Sequence, residues 1–194
     1  LVEDEAIRGD FVLRWAVVGL ALLLGDSQIR ETPTLIQIRG GQYFASHGFL
    51  PPATDVLSYT ATDRPWIHLS WLWDLATAGV YGLGGGVGLS IWQGLLAASA
   101  VILLVHASRH DVRSWWGSIC TVLVLLACYE QFTLQSELVT LVGTAALCWW
   151  LVRWQERSED RALWPLVAIL WLWAQLDVRV CLGWGLMGSF GIGG

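Results

Sequence analysis

The chain has 194 residues, of which 55% are hydrophobic, 14% are charged and 14 are tryptophan. With a mean hydropathy of +0.55, this composition lies outside that of soluble domains and reads as an integral membrane protein. The eleven basic residues are all arginine and scattered, and the formal charge is −5, which excludes a nucleic-acid partner.

In chain order, five runs have spanning character: Phe11 to Gly25, Gly86 to His106, Trp115 to Tyr129, Leu138 to Trp154 and Ala162 to Leu176. A sixth begins at Val180. Such runs approach the twenty or so apolar residues that cross a bilayer. The expected fold is all-α, a polytopic transmembrane helix bundle with a long outer loop containing interfacial helices. Residues 1–194 are read as one membrane domain, the N-terminal part of a longer protein, with residues 26–85 as the outer loop and 86–194 as the helix bundle.

That loop carries too many apolar anchors to stay solvated. Thr34 to Ser46 is read as a short helix, with Thr32-Pro33 as its start signal and His47-Gly48 as its stop. Pro51-Pro52 breaks the chain, and Thr54-Asp55 supplies turn-forming oxygens. Trp66 to Leu83 is long enough to span but contains His68, Ser70 and Asp74. Laid in the outer interface as an amphipathic or re-entrant helix, it lets seven arginines fall on the cytoplasmic side, together with the N-terminus. Asp74 is then expected at the surface. The glycines from Gly79 to Gly88 are read as a hinge between helices, since no strand precedes them and no phosphate-loop lysine follows.

This arrangement places acids and amides on one face. Glu137 opens one span and Asp177 follows another, both beside the loop that bears Glu31, Asp55, Arg64 and His68. No metal site is expected: the four cysteines lie in apolar runs without ligand spacing, and His106 and His110 lack a third partner.

The segment GQYFASHGFLPPATDVLSYTATDRPWIHLSWLWDLATAGVYGLGG and the later WLWAQLDVRVCLGWG resemble bacterial multi-spanning proteins related to the C-type, polyprenyl-phosphate-sugar-dependent membrane glycosyltransferases. The resemblance covers roughly residues 10–190 and is closest over the first outer loop. It implies transfer of a sugar from a polyprenyl-phosphate carrier at the outer face of the bacterial inner membrane. It further implies Glu31 and Asp55 as catalytic carboxylates with Arg64 and His68 around them to bind substrate, and Glu137, Asp177 and Arg179, which the arrangement puts on the same face, are read as binding substrate as well. Partners would be membrane lipid and the carrier; the cofactor is left open, a divalent metal included.

The chain departs from that pattern where Glu31 stands alone in place of two acids and a histidine, and where Gln175 and Asp177 replace an asparagine and a histidine. Those losses keep a second reading in play, a non-catalytic scaffold or assembly subunit with the same fold.

Overall fold

A computed structural model describes residues 2–25, 32–55, 65, 67–107, 119–123, 126, 134–156 and 164–193. The described residues are almost wholly helical, and their only strand-like pairing is one antiparallel bridge between Thr54 and Pro65. The helices are α1 (Val2–Gly25), α2 (Thr32–Ser46), α3 (Trp71–Ala107), α4 (Glu137–Glu156), α5 (Trp164–Leu176) and α6 (Cys181–Gly193). A single 3-10 turn, Val178–Val180, joins the last two. The all-α expectation holds. Among the described residues one helix, α3, is long and apolar enough to cross a membrane; Phe11–Leu23 and α5 are apolar but shorter.

Helix α2 begins and ends where its punctuation predicts. The Phe49 N–H donates to the Phe44 carbonyl at 2.8 Å, and Gly48 takes φ 97°. That is the six-to-one closure of a glycine-capped helix end. The following Thr54–Pro65 bridge draws together the two arms of the loop that carries Asp55.

Helix α3 is 37 residues long but not straight. Gly85 has φ 57° and ψ −146°, a region open in practice only to glycine. A Cβ on Gly88 would lie 3.1 Å from the Val80 carbonyl oxygen, whereas eight residues of straight helix separate two positions by about 12 Å. The glycine hinge therefore bends α3 sharply, and the arm of residues 86–107, about 33 Å long, suffices by itself to cross a hydrocarbon layer.

Around this V the other helices assemble. Helix α2 meets the first arm where a Cβ on Gly41 would overlap the Asp74 carbonyl oxygen, so the two backbones touch with nothing between them. One core cluster joins Trp73 and Leu89 of α3 to Leu147, Leu170 and Trp173. A second joins Val17 and Ala21 of α1 to Ala97, Val101 and Leu138. Gly143 and Gly183 let the Trp173 ring lie directly on α4 and α6, the close approach that small residues permit between apolar helices.

Gly85→Ala is expected to destabilise the protein by about 1–3 kcal/mol. Gly79→Ala, on an open helical face, should be neutral or stabilising by up to about 1 kcal/mol. Chemical unfolding in detergent micelles compares the two; equal effects would contradict the bend.

Candidate functional site at the α4–α5 junction

Helix α4 starts with Leu138 N–H donating to Gln135 and Val139 N–H to Ser136, at 3.1 and 3.0 Å. This opening turn sets Ser136, Glu137 and Thr140 facing the end of α5. There Asp177 leaves the helix with φ −151° and ψ 138°, and its side chain makes no cap of its own. It reaches across to α4 instead: Thr140 donates its hydroxyl to Oδ2, and Ser136 donates to Oδ1 at 3.4 Å. The Trp173 indole N–H donates to the Thr140 hydroxyl at 3.1 Å. Asp177 is only 2% exposed, so this carboxylate has exchanged water for hydroxyl donors.

Two residues on, Arg179 returns to the surface and pairs with Glu137 at 2.5 Å. The hydrogen bond that Arg179 donates to Glu137 raises the guanidinium above its ordinary value against the opposing effect of burial, and the charges of Glu137 and Asp177 add to the rise. A fixed positive charge therefore remains at the surface. Glu137 lies in the first turn of α4, where the helix dipole also favours a negative charge.

A second polar pair joins His68, just before α3, to Asp74 in its first turn. His68 Nε2 lies 2.8 Å from Asp74 Oδ2, with side-chain exposures of 24% and 4%. The Phe44 ring of α2 packs against the imidazole at 5.9 Å. The Trp71 indole N–H then donates to Gln175 at 3.1 Å, which ties this segment to the end of α5 beside Asp177.

Under these polar links lies an apolar cavity of about 290 Å³, walled by Trp73, Trp92, Leu96, Val139, Ala146 and Trp173 among others. The Trp73 N–H is engaged by Gln37 at 3.2 Å and that of Trp173 by Thr140, so both rings turn carbon toward the space. With no polar wall to hold it, water has no reason to enter. Trp73 comes from one arm of α3 and Trp92 and Leu96 from the other, and only the Gly85 bend lets them share a cavity.

Of the residues singled out in the sequence, Glu137, Asp177 and Arg179 come together. His68 lies on the segment linked to them through Trp71 and Gln175, and Asp55 stands by the Thr54–Pro65 bridge. Glu31 and Arg64 lie outside the described residues. Asp177 is buried and acts inward, as a joint between helices. Asp74, expected at the surface, is 3% exposed. Sequence reasoning missed Thr140, although its place three residues after Glu137 puts both on one helix face.

No family model, curated protein or solved structure matches the chain. No group of three or more metal-ligating side chains occurs among the described residues.

Asp177→Ala is expected to cost about 1–3 kcal/mol, because it strips the acceptor from the part-buried hydroxyls of Ser136 and Thr140. Arg179→Ala should stay within about 1 kcal/mol, as an exposed pair does. Unfolding midpoints of the two variants check this; a larger loss from Arg179→Ala would reverse the assignment of Asp177 as the joint.

Proposed function

We propose that the chain is a polytopic, glycosyltransferase-like membrane protein that transfers a sugar from a polyprenyl-phosphate carrier at the outer face of the bacterial inner membrane, with its N-terminus cytoplasmic. The observation that carries this reading is the junction of a surface charge cluster, Glu137 with Arg179, and a dry apolar cavity reached through Trp173 and Val139. An amphiphile with an anionic head and a hydrocarbon tail matches that pairing of surfaces. At about 290 Å³ the cavity is near the small end of ligand pockets and takes a segment of such a tail.

The distribution of polarity supports the membrane setting. Trp164, Trp171, Trp184 and Leu83 are exposed, while Asp74, Thr77, Gln93 and Asp177 are buried. Large apolar side chains turned outward over a polar interior suit a lipid surround. Arg179 would face the carrier phosphate, with Glu137 holding the guanidinium in place. Glu31 and Asp55 would receive the acceptor, the roles that the resemblance gives them.

The scaffold reading is favoured by a different observation. Both oxygens of Asp177 are used by Ser136 and Thr140, and Arg179 is paired with Glu137, which is how helix joints are built.

Purified full-length chain in liposomes, supplied with a radiolabelled polyprenyl-phosphate sugar, separates the two readings. Glu31→Gln and Asp55→Asn are each expected to lower transfer about 10²-fold or more at unchanged expression. Ala146→Trp, which fills the cavity, should raise KM for the carrier. No transfer by the wild-type chain would reject the enzyme, and transfer unaffected by either acid substitution would reject the roles given to Glu31 and Asp55.

A further inference from the structure

We infer that the α4–α5 junction holds a bilayer phospholipid whose headgroup carries both a phosphate and an ammonium, with one acyl chain in the cavity and the head on Arg179 and Glu137. Resting on the transferase reading, this lipid also competes with the carrier, so that membrane composition regulates the site.

The cavity is the first ground. At about 290 Å³ it has room for about ten methylene groups at the density of a protein interior. Left empty, a space of that size forfeits dispersion contacts around its whole wall, and a dry apolar space takes up apolar molecules rather than water. In a bilayer the apolar molecule at hand is a lipid chain. Leu172 gives the direction of entry: it lines the cavity and is yet 48% exposed, and Trp171 beside it is exposed too. On the second arm of α3, Leu96 lines the cavity while its neighbour Leu95 is exposed. The helices that flank the cavity thus turn apolar side chains outward, and a chain that reaches it passes over carbon.

The headgroup is read from the ion pair. Val139 follows Glu137 by two residues and Leu176 precedes Arg179 by three, and both line the cavity, so its wall begins within one turn of the charges. Among the described residues the exposed Arg179 guanidinium donates to Glu137 alone, which leaves donors of its planar fork for a phosphate. Glu137 lies beside it, and Asp177 sets a further negative charge near the guanidinium. A bare phosphate meets one cation among these acids, whereas a phosphate joined to an ammonium finds a partner for each sign. Competition follows from mass action: phospholipid is the bulk of the membrane, and a site built for a phosphate and a hydrocarbon chain fills with it until the carrier displaces it.

The test uses the full-length chain in nanodiscs with phosphatidylethanolamine that carries a diazirine midway along one acyl chain; after irradiation, mass spectrometry maps the crosslinks. Labels are expected on the cavity wall at Val139, Ala146 and Trp173, as well as on the outward side chains Trp164 and Trp171. Ala146→Trp should remove the wall labels and leave the outward ones. No wall labels in the wild type, or their persistence in that variant, overturns the chain site. The same diazirine on phosphatidylglycerol should label the wall about two- to fivefold less, and Glu137→Gln should erase the difference. Arg179→Ala, which leaves the cavity as it is, should lower wall labelling by both lipids. Equal wall labelling by the two lipids in the wild type, or no loss in Arg179→Ala, overturns the headgroup assignment. In the liposome assay, doubling the mole fraction of phosphatidylethanolamine at the expense of phosphatidylglycerol should about double KM for the carrier at unchanged kcat; an unchanged KM overturns the competition. A wild-type chain that transfers no sugar removes the transferase reading and the competition with it, and the wall labels then decide the lipid site by themselves.

Discussion

The rest of the structure depends on the backbone of Gly85. Its dihedral angles lie where a side chain is strained, and the bend they impose turns a 37-residue apolar helix into two converging arms. Trp73 would stand about 30 Å from Trp92 along a straight helix; bent, they wall one cavity. Helix α2 then closes on the first arm through Gly41, and α4 and α5 close on the cavity's other sides. Glycines thus do two jobs: Gly85 permits the turn, and Gly41 of α2 permits the contact that follows from it.

Hydrogen bonds decide what the aromatic walls present. Trp73 and Trp173 both carry an indole N–H that must find an acceptor when buried. Gln37 and Thr140 supply these acceptors on the sides away from the cavity, so polar contacts outside produce a dry interior. Thr140 in turn donates to Asp177, which links the ring orientation to the chain path between α5 and α6. The charged surface at Arg179 and the carbon surface at Trp173 are therefore parts of one connected arrangement, and the proposed function uses both.

Punctuation was the most legible part of the sequence. Thr32-Pro33, His47-Gly48 and the glycine run each mark a backbone event governed by local sterics, and each event is present. The meeting of Glu137 with Asp177 and Arg179 was also legible, because residues at adjoining ends of consecutive antiparallel helices have few places to go. Asp74 was not. Helical spacing from Trp73 cannot reveal that a neighbouring helix covers the next residue, and that cover depends on Gly41, some thirty positions earlier. The His68 contact was hidden for a related reason: six residues is no helical neighbour spacing, and the pair forms because His68 precedes the first turn of α3. Glu31 and Arg64, which the resemblance made prominent, lie outside the described residues.

The most direct measurement of the central claim is a distance along α3. Spin labels at Leu72 and Leu95, read by pulsed electron resonance on the full-length chain in nanodiscs, should lie about 25 Å apart or less if the helix bends at Gly85. About 35 Å, the separation along a continuous helix, would contradict the bend, and with it the shared cavity and the site built upon it.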